Sequence, residues 1–336
     1  MDPLTQIALT RQLIDIDSTT GREHDAGAFL ATTLRGLGYD VTEQPVVGDR
    51  FNVFASIGTP SVVFSTHFDC VPPFIPSRSE PGTLYGRGAC DAKGTIVAMI
   101  AAAERLRASG ERRAGLLFVV GEERGSEGAR AANTLAPGSS FLIDGEPTDN
   151  RLGTATRGVY RVKLTASGRA AHSSLPELGE SAIEKLIDAL IALRLVEWPS
   201  DRTMGRTHYT VGLIGGGVAP NVIPASAQAE VMFRTVGDYK EVRRALDARI
   251  GALVQIEDVL VVPPVRLKTV EGFDSAAFAF TTDIPWLDRW GTPLLLGPGS
   301  VTVAHTDHEH VSIAELHRAA ELYEALARTL MSHSGV

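Results

Sequence analysis

The chain has 336 residues, 44% hydrophobic and 21% charged, and a formal net charge of −8, a composition with ample material for a core and a length that favours two domains. Its basic residues are scattered and outnumbered by acids, which argues against nucleic acid or an anionic membrane as partner. The longest apolar stretch, Thr95 to Ala103, is too short to span a bilayer, and the only cysteines, Cys70 and Cys90, are too few for a disulfide framework.

The opening segment spaces Leu4, Ile7, Ala8, Leu13, Ile14 and Ile16 as a helix does, without the pattern of a signal peptide; the cytoplasm is the expected location. A second helix is predicted from Glu23 to Leu37, with strands at Val41–Glu43, Phe51–Ile57 and Ser61–Ser65. Helix Gly94–Ser109, strand Gly115–Val120, helix Glu127–Leu135 and strand Ser140–Ile143 follow. Past Ala155 the texture changes. Strand Val159–Ala166 alternates between apolar and polar residues, and helix Glu180–Leu193, strands Tyr209–Ile214 and Ala227–Thr235, and helix Tyr239–Ile250 belong to a small inserted α+β layer. From about Pro263 the chain returns to αβ character and ends on helix Ile313–Met331. The expected architecture is α/β, with residues 1–155 and 263–336 forming one domain and 156–262 the insertion.

His67 and Asp69 stand at the end of a buried strand, where ligands of open α/β sheets gather. They read as a metal ligand and its orienting acid, or as a core histidine paired with a loop aspartate. The glycine-dense run Gly86-Arg87-Gly88 to Asp91-Ala92-Lys93-Gly94 lacks the order of a phosphate loop. It delivers Asp91 to a helix entrance, as a ligand or as an N-cap. Glu122-Glu123 and Asp144-Gly145-Glu146 each follow an apolar strand, in a site or in a turn. His305 to His310 holds three histidines and two acids, of which His308 and His310 read equally as solvated. Taken together, His67, Asp91, Glu123, Glu146 and His305 form a nitrogen and oxygen donor set without thiolate, which suits two zinc ions, or cobalt or manganese, bridged by a carboxylate. Glu122 is left over as a base.

In this order the motifs resemble the co-catalytic di-zinc peptidases and deacylases, the family of acetylornithine deacetylase, succinyl-diaminopimelate desuccinylase, aminoacylase-1 and carboxypeptidase G. The resemblance rests on His67-Phe68-Asp69, Gly86-Arg87-Gly88 to Gly94, Glu122-Glu123, Glu146-Pro147-Thr148 and Ala304-His305-Thr306, and spans nearly the whole chain. It implies a di-zinc exopeptidase-like catalytic domain with a mostly parallel sheet and a ferredoxin-like lid. It implies Asp91 as the bridging ligand, His67 and Glu146 on one metal, Glu123 and His305 on the other, Asp69 orienting His67, Glu122 as general base, and a cis peptide at Asp91-Ala92.

In the insertion, Gly168 to Ser174 is similar to the lid motif whose histidine, here His172, reaches the substrate carbonyl, often from the partner subunit of a homodimer. Asn221 and Arg234 resemble substrate-anchoring positions, although Met232 replaces an acid common there. Cys70 and Cys90 are expected as packed, reduced thiols. The implied activity is amide hydrolysis on a small N-acyl amino acid or dipeptide. Acetylornithine-type deacetylation ranks first, desuccinylation second, and a dipeptidase or carboxypeptidase third. Two other classes remain: a non-catalytic amino-acid-binding relative, and a thiol enzyme built on a cysteine and His67.

Overall fold

The computed structural model describes residues 1–333. Helices α1 (Pro3–Ile14) and α2 (His24–Gly36) precede strands β1 (Asp40–Val47), β2 (Arg50–Ser56) and β3 (Val62–His67). Two short strands, β4 (Arg78–Glu80) and β5 (Thr83–Tyr85), lead to α3 (Lys93–Ala108), β6 (Ala114–Val119), α4 (Glu127–Ala132) and β7 (Phe141–Asp144). Then come β8 (Leu152–Thr156), β9 (Gly158–Ser167), α5 (Ala182–Leu193), β10 (Ser200–Asp201), β11 (Gly205–Arg206), β12 (His208–Gly216), β13 (Ser226–Thr235), α6 (Tyr239–Ile250), β14 (Gln255–Val262) and β15 (Val265–Arg266). The chain closes with β16 (Ser275–Phe278), β17 (Thr292–Leu295), β18 (His310–Ser312) and α7 (Ile313–His333).

Two compact units result: residues 1–154, 267–276 and 282–336, and residues 155–266 with 277–281. The first holds a six-stranded sheet in the order β1-β2-β6-β3-β7-β17. β6, β3, β7 and β17 run parallel, while the β1–β2 hairpin joins antiparallel at one edge. β3 and β6 are buried at every position, the signature of parallel strands covered on both faces. β1 runs further than the sequence predicts, to Val47 through Pro45; an edge strand tolerates a missing N–H donor. α3 is buried almost all round, and small residues such as Ala98, Ala101 and Ala102 let its neighbours approach. α4 stops at Ala132, and a single 3₁₀ turn carries Asn133–Leu135, since Asn and Thr are weak helix formers.

The second unit is a four-stranded antiparallel sheet in the order β12-β13-β9-β14, with α5 and α6 packed on one face. Tyr160, Val162, Leu164 and Ala166 of β9 point into that core, while Arg161, Lys163 and Thr165 are only half-buried. This is the β-α-β-β-α-β arrangement of a ferredoxin-like layer. Ser181 caps α5 and Asp238 caps α6 through their side chains.

Candidate metal centre

Six side chains converge at the carboxyl-terminal edge of the parallel strands in the first unit. His67 is the last residue of β3, and Glu122, Glu123 and Glu146 follow directly on β6 and β7. The loop that carries Glu146 is tied down by two bonds from β3: Gly145 N–H donates to the Ser65 carbonyl at 2.8 Å, and the Thr66 hydroxyl to the Gly145 carbonyl at 2.7 Å. The turn after β6 is fixed by Asn52, whose Oδ1 accepts Val120 N–H at 3.1 Å while its amide donates to the Gly128 carbonyl at 2.8 Å. Asp91 comes from the glycine-rich loop before α3, and the Asp91–Ala92 peptide is cis. Gly88 in that loop has φ of +88°, and a β-carbon there would lie 2.8 Å from Lys93 and 2.9 Å from the Cys70 sulfur. Only glycine fits both demands. His305 itself sits at φ +63°, an uncommon conformation for a non-glycine residue.

The donor atoms form two groups that share Asp91: His67, Asp91 and Glu146, and Asp91, Glu123 and His305, with one atom per residue lying within 4.8 Å of the others in its group. His67 Nε2 is 3.1 Å from Asp91 Oδ1 and 4.0 Å from Glu146 Oε1, while His305 Nε2 is 3.2 Å from Asp91 Oδ2 and 2.9 Å from Glu123 Oε1. The first group is buried, and the second opens to solvent through His305, whose side chain is 51% exposed.

Asp69 is placed somewhat differently from the sequence reading. His67 Nδ1 meets the backbone carbonyl of Asp69 at 3.0 Å, with the carboxylate further off at 3.4 Å. That carboxylate instead accepts the N–H groups of Glu122 at 3.0 Å and Glu123 at 3.2 Å, and the Thr20 hydroxyl at 2.8 Å. One residue therefore orients the imidazole through its backbone carbonyl and clamps the paired glutamates through its carboxylate.

The electrostatics show what the pocket lacks. Burial pushes Glu122 and Glu146 well above the usual carboxylate range, and neighbouring acids push them further: Asp283 and Glu123 on Glu122, Asp91 and Glu122 on Glu146. Burial likewise raises Asp283, to about 7, and raises Asp144, which also feels the charge of Asp283. Burial works against a charge on His67, but hydrogen bonds to Asp69 and Asp91 outweigh it and raise its pKa. Bonds to Asp91 and Glu123 carry His305 up to about 10. Several clustered carboxylates with only two imidazoles between them form a site short of positive charge, which divalent cations would supply. The oxygen and nitrogen donors, their spacing and this charge imbalance all fit a pair of such ions.

Both cysteines are free and buried, and burial raises the Cys70 thiol to about 12 and Cys90 well above its usual value. Such thiols make poor nucleophiles, which counts against a thiol enzyme. His308 bonds to Asp307, His310 packs on Tyr85, and neither enters the two donor groups. Asp283 and Thr20 escape a sequence reading because no local pattern links them to the motifs.

In the second unit, His172 Nδ1 faces the Ser174 hydroxyl at 2.8 Å and accepts the Ser174 N–H at 3.2 Å, which leaves the ring proton on Nε2. Ser173 N–H donates to the Asn221 carbonyl at 3.0 Å. Arg234 is half-buried, and among the described residues it meets no carboxylate; burial and the neighbouring Arg157 charge lower its pKa.

A model of peptidase family M20/M25/M40 matches residues 63–329. A probable carboxypeptidase of Aspergillus clavatus is 35% identical over 375 aligned positions, covering 98% of this chain and 83% of that protein. Among solved structures, the aminopeptidase PepT of Bacillus cereus superposes with a TM-score of 0.83 at 19% identity, covering 98% of this chain and 99% of its own. The Bacillus subtilis YXEP protein, described as a dinuclear metal-binding peptidase, gives 0.74 at 15% identity, covering 99% of each. At such identities the structural likeness shows the fold.

Proposed function

Since the chain belongs to peptidase family M20/M25/M40, we propose that it is a two-cation hydrolase that cleaves the amide bond beside a free α-carboxylate in a short peptide. The observation that carries this reading is the pair of donor groups sharing Asp91. Asp91 would be shared by both cations, with His67 and Glu146 holding one and Glu123 and His305 the other. Zinc is the proposed cation, because imidazole and carboxylate without thiolate suit it, with cobalt or manganese as substitutes. Cations held there lower the pKa of water toward neutrality and polarise an amide carbonyl.

The remaining roles belong to the chain itself. Glu122 stands beside a ligand but outside both groups, and takes the proton of the attacking water before passing it to the departing nitrogen. Asp69 holds Glu122 and Glu123 in place by their backbone. His172, with its proton on Nε2, donates to the developing oxyanion. Arg234, which meets no carboxylate among the described residues, grips the substrate carboxylate, since a guanidinium fork matches that geometry. Asn221, whose carbonyl accepts the Ser173 N–H at the opposite end of β13, is a separate substrate contact beside His172.

The matched relative's name favours peptide bonds over the N-acetylornithine-type substrates that the sequence ranked first. An intact base and complete donor set speak against a relative that only binds. Buried, reduced thiols agree with a reducing compartment, and the cytoplasm is the proposed location. No helix among the described residues is long and apolar enough to cross a membrane. A homodimer through the second unit is also proposed. The β12 edge leaves Leu213 64% and Ile214 63% exposed, and Ile187 and Ile191 of α5 are exposed as well.

The reading is tested by hydrolysis of a panel: dipeptides, N-acyl dipeptides, their C-terminal amides, N-acetylornithine and N-succinyl-diaminopimelate, each with added Zn²⁺ and with chelator. Chelator-sensitive turnover of the free-carboxylate peptides, with the amides resistant, is expected. Turnover confined to N-acetylornithine or the succinyl compound would move the function to deacylation. Chelator-insensitive turnover would overturn the two-cation mechanism.

A further inference from the structure

The glycine-rich loop that delivers Asp91 is organised around an acid more than two hundred residues away. Gly88, Cys90 and Asp91 point their backbone N–H groups at one oxygen, Oε1 of Glu309, at 2.9, 3.3 and 3.2 Å. Arg87 donates to the other carboxylate oxygen at 2.7 Å, and Gly86 N–H donates to the Glu309 carbonyl at 3.0 Å. Converging N–H groups of this kind are what proteins use to cradle phosphate and other anions. In this chain the loop has the glycines of such a nest, and the nest is filled by the protein's own carboxylate. Every participant is withdrawn from water: Glu309 is 1% exposed, Arg87 2% and Asp91 8%.

We propose that Glu309 is a positioning residue for the shared carboxylate of the metal centre: by gathering the loop's N–H groups and Arg87, it fixes the backbone from which Asp91 reaches toward both His67 and His305. The proposal rests on the two-cation reading above. Asp91 is the only member of both donor groups, so a shift of its main chain displaces a ligand of each position at once. Oε1 of Glu309 accepts three N–H bonds from residues 88 to 91 of one loop, and its other oxygen is paired with the Arg87 guanidinium, the charge-assisted kind of bond that is the stronger one. The residues that orient metal ligands typically change metal affinity or activity about 10- to 100-fold when replaced. Glu309 does so here through the main chain of a carboxylate ligand.

The test uses the full chain and begins without metal. Amide hydrogen exchange in the metal-free parent should show Gly88, Cys90 and Asp91 strongly protected, and Glu309→Gln should release them. Exchange at open-loop rates in the parent would overturn the contact without recourse to any variant. Next, Co²⁺ is titrated into each protein and followed by calorimetry and visible absorption. Glu309→Gln is expected to bind Co²⁺ about 10- to 100-fold more weakly, with a shifted absorption band and a lower kcat at nearly constant KM. Glu324→Gln, which removes ion pairs to Arg105 and Arg328, serves as the destabilised control and should keep the parent's affinity and spectrum. Parental Co²⁺ affinity and spectrum in Glu309→Gln would overturn the positioning role and leave the two-cation reading intact. A parent that binds no Co²⁺ would overturn that reading, and the positioning role with it.

Discussion

Glu122 and Glu123 are neighbours in sequence, yet only Glu123 lies in a donor group, and Asp69 holds the backbone of both. Its carboxylate accepts both N–H groups, so the conformation of the turn does not depend on the Glu122 side chain. Glu122→Gln should therefore leave the fold and both cation positions intact while lowering kcat by about 10²- to 10⁴-fold, the usual contribution of a positioned acid–base group. Steady-state kinetics with metal analysis of the same sample checks this, and a variant retaining most of its turnover would remove Glu122 from the role. Residues of this kind were legible in the sequence because each stands at a strand end beside a short motif: His67 with Asp69, Glu122 with Glu123, Glu146 with Pro147. Glu309 was not legible. It belongs to Asp91 only through a fold that closes 218 residues of separation, and the sequence drew attention to His308 and His310 on either side of it.

Elements that are fully buried or strongly periodic were also legible. β3, β6 and β7 announce themselves as short apolar runs, and α6 occupies Tyr239–Ile250 as its pattern predicts. β4, β5, β8, β15 and β18 did not, since strands of two to five residues carry too few alternations to register. β12 is the element whose exposure has a consequence. It is an edge strand with a register shift between Val211 and Leu213, and apart from half-buried Tyr209 its residues are exposed. Edges of this kind either carry charges or find a partner. If the partner is a second copy, the parent should sediment as a dimer, and Leu213→Lys should shift it to monomer. A parent that sediments as a monomer at micromolar concentration would remove the interface.

At the scale of the whole chain, the two units have separate cores, one built on the six-stranded sheet and one under the four-stranded sheet. All five donor residues belong to the first unit, whereas His172, Asn221 and Arg234 belong to the second. The residues that could hold cations therefore lie within one unit, and the proposed substrate-contacting residues within the other. The sequence placed a boundary at the change of texture past Ala155, because half-exposed antiparallel strands alternate and buried parallel ones do not. The proposed hydrolysis needs two cations bound around Asp91. Its most direct test is to strip the full chain with chelator and titrate Zn²⁺ back while following hydrolysis of a free-carboxylate dipeptide. The stripped protein should show no turnover, and activity should rise to a break at two equivalents. Full activity in the stripped protein, or a break at one equivalent with no second binding event, would contradict the two-cation requirement.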